Sequence, residues 1–291
     1  MRFWPLILIA FIFSGCEKNI DFKLNDTSTA VVVDAQIENG KPPFVILSNS
    51  ISYYSQINPQ VLNDLFIHNA EVYVSNGTLT HKLKEYSQNL FPGLTSSFYS
   101  VDTSNLSTAF LGEFNTGYSL KIIVNGVTYT AETQIPQLMV KPDSVYFNPA
   151  PDNPDTNARI LFAKITDPRG LGNYMRYYTK KNSEPFFPGP KSVYTDEIID
   201  GTTYTAKLDP GIDLNNPPQP EENFFYRNDT VTLKFCNINK ATYTFWNTWE
   251  FAYQSIGNPF AQPNKVIGNI SNGALGAFCG YAAWEKQMIV Q

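Results

Sequence analysis

Apolar and polar residues alternate over short runs along much of the chain, and Gly, Pro and Asn punctuate the runs. Ala70-Glu71-Val72-Tyr73-Val74-Ser75 places Ala70, Val72 and Val74 on one face, the period of two expected of a half-buried strand. Asn76-Gly77 follows, and Thr78–Leu83 returns. The same signal recurs in Tyr118–Val124, Asn125-Gly126 and Val127–Thr133. Asn-Gly between alternating runs marks a hairpin, because both residues tolerate the positive φ of a type I′ turn. Ala30–Ile37 and Phe44–Ser48 are further strands, broken at Asn39-Gly40, while 51–68 reads as a long loop. About seven short strands over residues 30–136 predict an immunoglobulin-like antiparallel β-sandwich.

Pro136 and Pro142 end that pattern and put a domain boundary at 136/137. Within 137–291, strands are expected at 144–147, 158–165, 173–178 and 230–235, with turn-rich loops at 149–157 and 214–222. Residues 240–256 change period. Tyr243, Trp246, Trp249 or Glu250, and Tyr253 recur at helical spacing, and Gly257 and Pro259 form a stop. The fold class is thus mostly β: a sandwich followed by a second β-rich (α+β) domain with one aromatic helix. The aromatic stripe is read first as core packing onto a sheet and second as a ligand or partner face.

The N-terminus has a different character. Arg2 precedes the apolar run Leu6–Phe13, which is shorter than the roughly 20 residues that span a bilayer. It reads as a signal peptide, residues 1–15, ending Phe13-Ser14-Gly15-Cys16. Small residues before a cysteine match a bacterial lipobox, with Phe13 where Leu is more usual. Cys16 is then the lipidated residue, and 16–29 is a polar tether. Two or more acyl chains anchor stably where one does not.

Charge narrows the partners. Lys and Arg number 21 against 26 Asp and Glu, a net charge of −5, with no basic patch, so nucleic acid is not an expected partner. Cys236 and Cys279 form a candidate disulfide if the chain is exported, closing a loop of about 43 residues. The alternative is two separate buried thiols.

Four segments together resemble the Bacteroidota lipoprotein family called domain of unknown function 4249. They are Cys16–Asp21 with Ala30–Asp34; Gly117–Ile122 with Tyr129-Thr130-Ala131 and Ile135-Pro136; Asp167-Pro168 with Gly172-Asn173-Tyr174; and Gly257–Phe260 with Gly268–Gly273 and Leu275–Tyr281. Cys279 departs from the small residue expected there, so a Cys236–Cys279 bridge would be peculiar to this chain. The resemblance implies an outer-membrane lipoprotein, on the periplasmic or cell-surface side, whose relatives often sit beside TonB-dependent receptors of the SusC-like kind. It implies no catalytic activity.

The residues themselves show no catalytic constellation. The two histidines, His68 and His81, fall in the strand region, and His81 reads as a surface strand residue. A triad needs a base beside its nucleophile, and zinc usually draws on several His and Cys. Asn153-Asp155-Asn157 carries oxygen ligands at alternate positions and Asp209–Asn215 is a second acidic loop, but both lack the later half of a calcium loop. The neighbours Asp196-Glu197 and Glu221-Glu222 point apart on extended backbone, so neither forms a carboxylate pair alone. Ser144 and Thr230, each after Asp and before Val, are candidate O-glycosylation sites. Phe186-Phe187 is a candidate docking loop. No cofactor or metal is expected. The leading expectation is a non-enzymatic lipoprotein that acts by binding, as partner of an outer-membrane receptor. A glycan-binding surface protein and a structural or adhesive one are the alternatives. The anchor is directly testable: metabolic labelling with a palmitate analogue is expected to mark the native protein in the outer-membrane fraction, and Cys16→Ala is expected to lose the label and retain residues 1–15 by mass.

Overall fold

The computed structural model describes residues 29–51, 57–151, 153–214, 216, 223–258 and 264–291. The expected signal peptide, Cys16 and the tether through residue 28 lie outside the described residues, as does the Glu221-Glu222 pair. The first half contains β1 (Val31–Glu38), β2 (Phe44–Asn49), α1 (Pro59–Leu65), β3 (Glu71–Ser75), β4 (Thr80–Lys82), β5 (Lys84–Phe91), β6 (Leu94–Ser100), β7 (Thr116–Val124) and β8 (Val127–Ile135). β1, β2, β6 and β5 lie side by side, and β4-β3-β7-β8 form a second sheet. Val33, Ala35, Ile37 and Leu47 of one sheet share a core with Val72, Val74, Leu120 and Ile122 of the other. This is the expected sandwich, built from period-two alternation.

The turns differ in kind. Asn125 and Gly126 both have positive φ, +50° and +78°, with Val124 opposite Val127, as a type I′ turn requires. Asn76-Gly77 instead sits in a four-residue loop, where the Asn76 side chain accepts from the N–H of Thr78 and Leu79 (3.0 and 2.8 Å). Within the expected loop 51–68, α1 forms because Asn58 caps it by accepting from Val61 N (2.9 Å) and a proline occupies the first turn.

The second half contains β9 (Pro142–Pro149), β10 (Ala158–Thr166), β11 (Tyr174–Lys181), β12 (Phe187–Thr195), β13 (Thr203–Leu208), β14 (Phe225–Tyr226), β15 (Thr230–Ile238), α2 (Lys240–Gln254) and β16 (Leu275–Ile289). β10 pairs with β9, β13 and β14. That small sheet packs through Leu161, Ala163 and Ile165 against Met175, Tyr177, Leu233 and Phe235 of β11 and β15. α2 covers the opposite face of β11, β15 and β16.

The boundary expected at 136/137 falls in the link between β8 and β9, yet hydrogen bonding crosses it. One eight-stranded sheet runs β12-β11-β15-β16-β1-β2-β6-β5. The first part of β16 lies parallel to β1, with Val33 opposite Gly276 and Glu38 opposite Tyr281. Its second part lies antiparallel to β15, from Asn237 opposite Ala282 to Thr230 opposite Ile289. Phe278 and Ala282 therefore enter the first core, while Trp284 and Met288 pack against the second. Where β1 ends, the Asn39 side chain continues the ladder, accepting from Ala283 N at 2.6 Å. Lys234 of β15 reaches across β16 to Glu38 of β1 at 3.1 Å, both side chains 12% exposed.

Gly280 marks a close crossing between β16 and β8. A Cβ there would overlap the Gln134 carbonyl oxygen and come within 2.6 Å of its carbon, at the end of β8. Backbone cannot yield as a side-chain tip does. Gly280→Ala is expected to destabilise the protein by about 1–3 kcal/mol, measured as a lower midpoint in urea unfolding with an unchanged m-value.

Candidate functional site

The aromatic helix docks through a buried polar chain. Asn239 caps α2 by accepting from Thr242 N (2.8 Å), and Thr242, Phe245 and Glu250 are its buried residues. Beneath it, Arg176 of β11 is 2% exposed. The Trp246 ring lies 3.5 Å from the guanidinium carbon and the Tyr178 ring 4.7 Å from it. Arg176 Nε donates to Ser192 Oγ at 3.0 Å, and the Ser192 N–H and hydroxyl donate to the Glu250 carboxylate. Trp246 Nε1 donates to the Tyr281 hydroxyl of β16 at 2.8 Å. Burial raises the Glu250 carboxyl above its ordinary value, against Ser192 and Arg176, which pull it down. A buried charge left without such partners is strongly destabilising, so this chain fixes where the helix sits.

The predicted stripe is thus used mainly in packing. Tyr243 packs on Tyr174 (4.9 Å), and the Trp249 and Tyr253 rings stack at 5.4 Å and 7°. The cavity beside Trp249, Tyr253 and Pro188-Gly189-Pro190 holds about 60 Å³, well below the roughly 300 Å³ at which small-molecule sites begin. The exposed apolar rings on α2 are Phe251 and Tyr253, on its last turns.

Phe186 and Phe187 do not make a joint docking tip. Phe187 opens β12, so the expected loop is a strand, and its prolines are tolerated because β12 is a sheet edge. Phe187 lines a cleft of about 270 Å³ with Thr179, Glu184 and Gly211. The Phe186 ring instead lies 4.5 Å from Lys234 Nζ, which is 5.4 Å from Tyr178. Phe186, Lys234, Tyr178, Arg176 and Trp246 thus alternate ring and cation along one face of the large sheet.

Other expectations resolve locally. Cys236 and Cys279 are free, buried thiols and not a disulfide. Register explains this: Cys236 lies opposite Ala283, four residues from Cys279, or about 13 Å along the strand, beyond disulfide reach. Burial pushes the Cys236 thiol up to about 12 and the Cys279 thiol up to about 11. Ser144 is exposed on β9, whereas Thr230 is half-buried. Thr230 opens β15, held by Asn182 (2.9 Å), while Asp229 accepts from Tyr226 N and the Asn182 side chain. Asn153 and Asp155 accept from backbone N–H groups two residues on, making ordinary turns. In the segment Gly268–Gly273, Asn269 accepts from Phe278 N (2.8 Å) and donates to Glu132 O (3.0 Å), stitching β8 to β16.

An apolar groove lies apart from every site the sequence points to. Tyr86 and Phe98 of β5 and β6 form its floor, with Pro42 and the 101–111 loop as walls, around a volume of about 590 Å³. Leu106 and Leu111 on the loop are 61% and 52% exposed. The loop is held from inside by His81, which is 2% exposed and not a surface residue. His81 Nε2 accepts from Asp102 N (3.1 Å), which leaves Nδ1 to carry the proton and donate to Thr108 Oγ1 (2.9 Å). His68, by contrast, is exposed and pairs with Glu85. The loop end returns to the β1–β2 turn, where Gly40 N donates to Gly112 O (2.8 Å). The sequence signal for this groove was weak: Leu106, Phe110 and Leu111 lie in a polar loop without period.

The family model described as domain of unknown function DUF4249 matches residues 17–287. The chain belongs to that family. No curated protein matches it. The matched span includes β1 and most of β16, so the DUF4249 unit contains the parallel pair that joins the two halves.

The His81 clamp needs a neutral ring. Burial lowers its proton affinity, against the charge of Asp102, which raises it. The folded state therefore keeps the ring neutral to lower pH than the unfolded chain does. The clamp's contribution is complete above the unfolded value of about 6.5 and is lost as pH falls through the folded value. His81→Ala is expected to cost about 1–3 kcal/mol at neutral pH, and its thermal midpoint should fall less than that of the parent between neutral and mildly acidic buffer.

Proposed function

We propose that this DUF4249 protein is a non-enzymatic outer-membrane lipoprotein, anchored through Cys16, that binds a TonB-dependent receptor of the SusC-like kind. The observation that carries the reading is the groove between Tyr86, Phe98, Leu106 and Leu111. Exposed apolar surface of this kind costs solubility and marks interaction sites on soluble folds. Its volume lies within the range that accepts large apolar side chains or a small ligand.

Its position also fits. The tether joins before Val31, at the start of β1, while Pro42 and Gly112 lie at the other end of that strand. β1 is 8 residues long, which separates the two ends by about 26 Å. The groove is thereby held away from the attachment point, where a neighbouring membrane protein's extramembrane loops could enter it.

The test is affinity purification of the tagged protein from native membranes, with identification of partners by mass spectrometry. A TonB-dependent receptor is expected to accompany the wild-type protein in near-stoichiometric amount. Leu106→Asp and Leu111→Asp, on exposed positions, are expected to lose it while keeping the thermal midpoint. Wild-type protein recovered without such a receptor overturns the reading; both variants retaining the receptor moves the interface away from the groove.

A further inference from the structure

Three carboxylates from two loops converge at one end of the second sandwich. Asp167 follows β10, and Asp196 and Asp200 bound the helical turn after β12, where Asp200 N donates to Asp196 O at 2.9 Å. One oxygen from each lies within 4.8 Å of the others. Asp167 is 2% and Asp196 1% exposed. Two of the three negative groups are therefore withdrawn from water. The ion pairs formed among the described residues involve none of them.

Backbone hydrogen bonds account for much of this cluster and leave a remainder. Asp196 accepts from Gly172 N (2.9 Å) and Asn173 N (2.8 Å), and Asp200 Oδ1 accepts from Gly170 N (2.6 Å). These contacts wrap the 167–173 loop around the cluster. Asp167 Oδ2 takes a long bond, 3.3 Å, from Gly201 N, while Asp167 Oδ1 is buried with no hydrogen-bond partner. Burial, and then the charges of Asp196 and Asp200, push the Asp167 carboxyl above its ordinary value. A loop anchor needs no orphaned oxygen, and an isolated buried carboxylate is costly. A cation would supply what is missing.

We propose that Asp167, Asp196 and Asp200 bind one calcium ion. Calcium takes oxygen ligands at about 2.3–2.6 Å, so two ligands of one ion lie at most about 5 Å apart, a limit this cluster meets. The donors are carboxylates without thiolate or imidazole, which favours a hard cation over zinc or copper. Loop-borne ligands suit calcium's tolerance of irregular geometry better than magnesium's octahedral demand. The ion would tie the end of β10, in the small sheet, to the end of β12, at the edge of the large one. The Asp167-Pro168…Gly172-Asn173 segment would then serve to carry a ligand and to fold the backbone over it.

The experiment uses the full-length protein in detergent, stripped of metal with a chelator. Calcium chloride is titrated by calorimetry, and thermal unfolding is followed with calcium chloride or magnesium chloride. About one calcium per chain, bound in the micromolar to millimolar range, is expected, with a raised thermal midpoint. Asp167→Asn keeps the shape and removes the orphaned charge, so it is expected to fold at least as stably without metal and to bind calcium at least about tenfold more weakly. Asp200→Asn, at an exposed position, should weaken binding in the same direction. Absence of calcium binding in wild-type protein, or undiminished binding by both variants, overturns the site; an equal response to magnesium overturns the assignment of calcium.

Discussion

β16 is long enough to divide its backbone pairing between partners from opposite halves of the chain. β1 bonds to its first part and β15 to its second. Removing that pairing would leave buried N–H and C=O groups on both, each comparable in cost to a lost hydrogen bond. The side chains follow the same logic. Phe278 and Ala282 fill the first sandwich, Trp284 and Met288 pack on the second, and Cys279 and Tyr281 meet the helix. The two halves are distinct in their cores and continuous in their hydrogen bonding.

That continuity explains the roles of several polar residues. Asn39, Asn237 and Asn269 each hold backbone where a ladder ends. Asn237 accepts from Met139 N and Val140 N and donates to Val140 O, fixing the link between the halves. Lys234 and Glu38 close across β16, and Lys41 joins the same group through Glu38. The Arg176–Ser192–Glu250 chain seats the helix on the same sheet. Amides serve the ladder ends because each offers both a donor and an acceptor.

Local signals were legible where one chemical pattern determines one conformation. The Asn125-Gly126 hairpin and α2 fall where period and caps put them. β16 escaped because a strand buried on both faces loses alternation; its Gly276-Ala277-Phe278-Cys279-Gly280 stretch reads as neither strand nor helix. β5 and β6 escaped for the opposite reason: Lys84–Asn89 and Thr95–Ser97 are polar, and the apolar groove is made by Tyr86 and Phe98 meeting a distant loop. Sites assembled from separate segments leave no local pattern. Asp167 and Asp196 lack metal-ligand spacing in sequence, His81 resembles a surface residue, and it takes the pairing of β11 with β12 and of β10 with β13 to bring the carboxylates together.

The long sequence separation between β1 and β16 has a consequence for how the protein is made. Synthesis proceeds from the N-terminus, yet β1 acquires its outer neighbour only when β16 emerges. Until then the first sandwich carries an open edge and lacks Phe278 in its core, a state prone to pairing with the wrong strand. Pairing β1 with β16 also closes a loop of more than two hundred residues, a slow event by contact-order reasoning. The nascent chain is thereby kept from locking its first sandwich early, and whatever shields the β1 edge until β16 arrives protects it from mispairing.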